Sequence, residues 1–122
     1  MMICRIWQGR TTAADAPHYD AILRETVVPG IEARRIPGFR SIDLMRRTLP
    51  DGCEEFTTIM WFDDLASVRA FMGPDYTAAH VPEAARAVLA SFDRVAAHSL
   101  CRLAVRSPVC SSRPAPRRHR NY

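Results

Sequence analysis

The stretch EEFTTIMWFDDLASVRAF, from Glu54 to Phe71, decides how the rest of the chain is read. It runs from one strand straight into one helix. Between Phe56 and Phe62 both alternating faces are semi-apolar, with Phe56, Met60 and Phe62 on one and Thr57, Ile59 and Trp61 on the other. A strand buried on one face alone turns polar residues to the other, so this strand predicts cover on both sides. Asp63-Asp64 then supplies a helix N-cap, and Leu65, Val68, Phe71 and Met72 recur at helical spacing. Trp61, at the strand end beside the helix entrance, is expected to form a pocket wall.

Working outward from this segment, residues 3–10 alternate as a strand, with Ile3, Arg5 and Trp7 on one face and Cys4, Ile6 and Gln8 on the other. A polar connection follows and caps a helix with Pro17 in its first turn. Tyr19, Ile22, Leu23, Val27 and Ile31 give that helix its apolar stripe, with a disturbance expected at Pro29-Gly30. Pro37-Gly38 marks a turn into a strand over 39–48, and Leu49-Pro50-Asp51-Gly52 reads as a hairpin turn into the Glu54 strand. Gly73-Pro74-Asp75 breaks the next helix, a further helix is predicted over 82–91, and residues 92–103 read as a last strand.

The order β-α-β-β-α-α-β is the ferredoxin-like pattern, an α+β fold with a four-stranded antiparallel sheet and helices on one face. Nothing in the chain is left to cover the second apolar face. A second copy solves that economically, which predicts a homodimer joined through its sheets, a dimeric α+β barrel.

Length and composition set limits. The chain has 122 residues, 48% hydrophobic and 25% charged, and a net charge of +4. That suits one folded domain with an ordinary core, expected over 1–103. No apolar run approaches the roughly 20 residues of a membrane helix. The opening MMICRIWQGR, with an arginine inside its apolar stretch, makes a poor signal peptide, so a cytoplasmic protein is expected. All thirteen acids lie in residues 1–100 beside eleven Arg, a net of −2, while the remaining six Arg fall in 101–122. Residues 104–122 therefore read as a disordered basic tail, and without a base-reading element they do not predict nucleic-acid binding. The four cysteines form no C-x-x-C pair and sit far in sequence from the four histidines, so neither zinc-type spacing nor a disulfide framework is predicted.

The segments ICRIWQGR, PGIEARRIPGFRSIDLMRR, FTTIMWFDDLASVRAF and PDYTAAH together resemble the antibiotic biosynthesis monooxygenase family of dimeric α+β barrels, over roughly residues 2–100. The resemblance implies the fold. It also implies a choice of chemistries, because the family includes cofactor-free oxygenases of phenolic or anthrone substrates as well as haem-degrading enzymes.

The candidate site residues follow from this. Trp61 matches a tryptophan common in the family and either stacks on a planar ligand or packs as core. Trp7 carries the same readings, ligand wall or core, with the dimer face as a further place for it. Phe71 departs from the family, where many members carry a histidine about ten residues after the tryptophan; phenylalanine cannot exchange protons. His80 resembles the position where haem-degrading relatives ligate iron, although residues 3–10 lack the asparagine that accompanies it there. It serves as a general base, a haem ligand or a helix-capping histidine. Tyr76 shares a face with His80 if that segment is helical. Arg5 and Asp43 alternate in step with Trp7 and Met45 toward a face expected to be buried, so they either form an ion pair within the sheet or across the dimer interface, or Arg5 holds a phenolate or carboxylate. The functional expectation is a monooxygenase without cofactor or metal, acting on a small aromatic. A non-catalytic small-molecule-binding barrel and a haem-binding protein are the alternatives.

Overall fold

A computed structural model describes residues 2–105. The strand-helix segment forms as its pattern requires. β1 (Ile3–Thr11), β2 (Phe39–Thr48) and β3 (Glu54–Phe62) lie side by side. β3 is central and antiparallel to both neighbours, with Arg5 opposite Met60 and Trp7 opposite Thr58 on one side. On the other side Ile42 lies opposite Met60 and Leu44 opposite Thr58. The β2–β3 hairpin closes through the Leu49 N–H to Cys53 O bond at 2.8 Å and the Gly52 N–H to Leu49 O bond at 2.9 Å. Gly52, at φ +90°, supplies the backbone shape that turn needs.

Residues 16–33 form one rod in three pieces. α1 (Ala16–Ile22) passes through a π-helical turn (Leu23–Val27) into α2 (Val28–Ala33). The expected disturbance thus lies one turn before Pro29-Gly30. Pro29 clashes with the carbonyl four residues back and donates no N–H. The helix widens ahead of it, so that the Val28 N–H reaches Leu23 O. α3 (Leu65–Met72) starts at Asp64, whose Oδ1 accepts the Ser67 N–H at 2.9 Å. It stops at Gly73, φ +88°.

The C-terminal part departs from its pattern. The helix expected over 82–91 is a single turn, α4 (Glu83–Arg86), because Ala90 is already bonded to Arg10 O at 2.8 Å and feeds the sheet. The last strand is divided into β4 (Ser91–Phe92) and β5 (Ala97–Leu100), both antiparallel to β1. The sheet therefore has five strands. Of the tail expected over 104–122, residues 106–122 lie outside the described residues.

Alternation along β1, β2 and β3 divides the sheet. One face carries Ile3, Arg5, Trp7, Ile42, Phe56, Met60 and Phe62 toward the helices, and all of these but Arg5 and Trp7 pack in two clusters. One cluster, around Phe62, Val68 and Phe71, joins β3 to α3. The other, around Tyr19, Leu23 and Phe56, joins β3 to α1. The opposite face carries Ile6, Ile59 and Trp61, all half-buried, and Met45, 46% exposed. No element of the described residues lies over it. Its rim is polar, with Glu55 held by Arg10 at 3.2 Å and Arg47 at 2.9 Å.

Candidate functional site

Where the two clusters meet, the helix-side face of the sheet does not close. A narrow cleft, open to solvent on one side, lies between β1, β3, the helical rod and residues 80–85. Its walls are apolar. Trp7 and Met60 form the sheet side, Leu23, Val27 and Ile31 the rod side, and Phe71 one end. Leu23 and Val27 are the first and last residues of the π-helical turn, so the widened turn places both on the cleft. Gly9 lets the Trp7 ring lie down on β1, because a Cβ there would come within 2.8 Å of the ring. The Trp7 Nε1–H donates to Asp93 O at 2.7 Å, which fixes the ring from behind.

Few polar groups reach this apolar space. Arg5 is 3% exposed. Its Nη1 donates to Tyr76 O at 2.5 Å and lies 3.2 Å from His98 Nε2, while Nη2 donates to Ala78 O at 2.7 Å. A guanidinium only donates, so His98 accepts through Nε2 and carries its own proton on Nδ1. Burial and the neighbouring Arg5 charge both hold His98 below the usual histidine range. No carboxylate of the described residues pairs with Arg5, so the ion pair with Asp43 does not form within the sheet. Asp43 stands opposite Ile59, on the other face of the sheet. Burial lowers the Arg5 pKa to about 10, which leaves it charged at neutral pH.

His80 stands at the mouth, its ring edge-on to Phe71 with centroids 5.0 Å apart. Desolvation first, then the charges of Arg34 and Arg5, push its pKa below 6.5. It is therefore a neutral imidazole at physiological pH, able to take a proton. Phe71 carries Arg5 5.5 Å and Arg34 5.2 Å from its ring centre, a contact the ring quadrupole favours. Tyr19 also lines the cleft, 1% exposed, with burial raising its pKa to about 12. It is a donor, not a base.

The structure thus brings together Arg5, Trp7, Phe71 and His80 and separates the other two sequence candidates. Trp61 is on the opposite face of the sheet, beside Cys4 and Ser41 in register. Tyr76 does not line the cleft. Residues 75–80 are not helical, so it shares no helical face with His80; its carbonyl holds Arg5, and its ring packs 5.3 Å from His98. Sequence reasoning passed over Tyr19, placed in the apolar stripe, and Arg34. The hydroxyl of a tyrosine within an otherwise aliphatic stripe was the available signal for the first. Among the described residues no cluster of three His, Cys, Asp or Glu side chains is arranged to hold a metal ion.

Comparison with solved structures places this architecture. SnoaB, a cofactor-independent oxygenase from Streptomyces nogalater in a mutant form, superposes with a TM-score of 0.59 at 16% identity, over 87% of this chain and 98% of that one. The fold is that of the antibiotic biosynthesis monooxygenases. A Bacillus cereus protein considered an antibiotic biosynthesis monooxygenase superposes at 0.60 with 9% identity, over 88% of this chain and 97% of that one. The monooxygenase from the ActVA-Orf6 gene of Streptomyces coelicolor, crystallised with nanaomycin D, gives 0.52 at 16% identity, over 87% and 91%. No family model matches the sequence. No curated protein matches it either. The likeness to the monooxygenase fold is accordingly one of backbone.

Proposed function

We propose that the protein is a homodimeric monooxygenase that acts on a small electron-rich aromatic with dioxygen and needs no cofactor. The observation that carries this is the cleft itself. Aromatic and aliphatic walls enclose a space into which one neutral imidazole and one fixed positive charge project. Chemistry of this kind asks for little else. His80 takes a proton from an acidic C–H of the substrate, and Arg5 favours the negative charge that develops on the conjugated oxygen. The carbanion gives its electrons to dioxygen and forms a C–O bond. Loss of water from the resulting hydroperoxide leaves a carbonyl, so a methylene and dioxygen become a ketone and water. The protein supplies orientation and a dry environment.

The side chains leave room in the cleft for only a few water molecules. A planar ring system is expected to enter as residues 80–82, whose His80 is exposed, move outward. The open sheet face with Ile6, Ile59 and Trp61 supports the dimer. In this reading Trp61 serves the interface and not the ligand.

The test is dioxygen consumption by chelator-treated protein with anthrone and a panel of quinols. Uptake above the spontaneous rate, with one oxygen atom from labelled dioxygen in the product, is the expected outcome. A rate no greater than the blank across the panel would leave a small-molecule-binding barrel without catalysis.

A further inference from the structure

The charge of the cleft is unbalanced, and we propose that the ligand balances it: the free edge of Arg5 is a receptor for an anionic oxygen group, a carboxylate or an ionised phenol, carried on the aromatic ligand. This rests on the reading of the cleft as a small-molecule site. A guanidinium has five N–H donors. Three are engaged, two on Nη1 and one on Nη2, and all three meet neutral acceptors. The Nε–H and the second Nη2–H have no protein acceptor among the described residues. A charge this deeply buried is costly unless an opposite charge answers it.

No neighbouring side chain answers it. Arg34 adds a second positive charge, 5.2 Å from the centre of the Phe71 ring. His80 and His98 are neutral and Tyr19 is protonated. The buried carboxylates of the fold are already engaged: Glu54 with Arg46 and Thr48, and Glu55 with Arg10 and Arg47. Two free donors on one planar group match two oxygens, the arrangement in which arginine binds carboxylates most strongly. Apolar walls amplify that attraction by excluding water. Bound there, a phenol is shifted toward its anion, which lessens the demand on His80, whose own pKa is lowered.

Anaerobic titration of the full chain at neutral pH with 1-naphthoate and the isosteric, uncharged 1-naphthamide tests this without turnover. Naphthoate is expected to bind about tenfold tighter or better, with the advantage lost in Arg5→Met and partly retained in Arg5→Lys. In a second arm, 4-nitrophenol absorbance reports whether the bound phenol ionises at lower pH than the free one. The arm that shows the Arg5-dependent gain identifies the anionic group. Should Arg5→Met not fold, the two naphthalenes on the wild-type protein decide the matter. Equal binding of both, with no shift in nitrophenol ionisation, overturns the receptor and leaves the cleft as a ligand site. Binding of none of the three probes overturns both.

Discussion

Replacing Gly38 by alanine strikes the junction that carries Phe71 into the cleft. Gly38 adopts φ +84°, and its carbonyl accepts the Asp63 N–H at 2.8 Å, tying the start of β2 to the end of β3. A Cβ there would lie 1.8 Å from Ser67 Oγ and 2.7 Å from Ser67 Cβ. The hydroxyl can rotate away only by giving up its 2.9 Å bond to Asp64. The Cβ is fixed to the backbone of α3, so the first turn of that helix must shift. A side chain at positive φ costs about 1–2 kcal/mol, and the overlap adds about 1–3 kcal/mol. The expected loss is therefore about 2–5 kcal/mol, seen as a melting temperature lower by roughly 10 °C or more. Thermal circular dichroism at one fixed protein concentration measures it, since association shifts apparent stability. In a Ser67→Gly background both contacts vanish and only the backbone cost remains, so the two changes should couple by about 1–3 kcal/mol. A loss below about 0.5 kcal/mol, or no relief from Ser67→Gly, refutes the reasoning.

His80 has a folded-state pKa below its ordinary 6.5; kcat/KM for the oxygenase reaction should fall on the acid side of that value and stay flat above it, and His80→Ala should remove the acid limb. The same depression makes its share of stability complete above pH 6.5 and lost as pH falls through the folded value, so a wild-type acid limb in the His80→Ala melting profile would deny that link. Ile6→Asp, on the open sheet face opposite Ile59, should leave a folded monomer where the wild type sediments at twice the monomer mass, because the charge meets solvent in the monomer and a second sheet in the dimer; a wild-type monomer, or a variant that stays dimeric, counts against sheet-to-sheet assembly. Added haem should give no Soret shift that depends on His80, and a band abolished by His80→Ala would instead establish the haem-binding alternative.

Period-two and helical patterns carried most of the fold. They work wherever one side chain decides one local conformation: Asp64 capping α3, Gly52 turning the hairpin, Gly73 ending the helix. They fail where the decision is made at a distance. The alanine-rich run after Pro82 reads as a helix through residue 91, yet it ends at Arg86 because Ala90 is claimed by β1. Alternation correctly separated Trp61 from Met60, but with both faces apolar it could not say which one meets the helices. Arg5 marks the sharper limit. Its acceptors are the carbonyls of Tyr76 and Ala78, 71 and 73 residues away, and a backbone oxygen leaves no trace in residue identity. Of the two readings of a buried Arg5, the ion pair within the sheet is therefore the one the fold does not provide.

Phe71 shows how the pieces of the site constrain one another. A titratable side chain at that position would lie close to two guanidinium groups, each near 5 Å from the ring centre. A histidine there would lie against both charges, which disfavour its protonated form as they disfavour that of His80. Phenylalanine at this position attracts cations through its negative ring face without titrating. The imidazole is supplied from His80, edge-on to the same ring at 5.0 Å, at the mouth, where a proton it accepts can leave to solvent. Phe71→His should then lower affinity for a naphthoate-type anion less than Arg5→Met does, because charge is preserved and only packing is lost. A Phe71→His variant that loses the anion preference entirely would mean that the ring, not the guanidinium, selects the ligand.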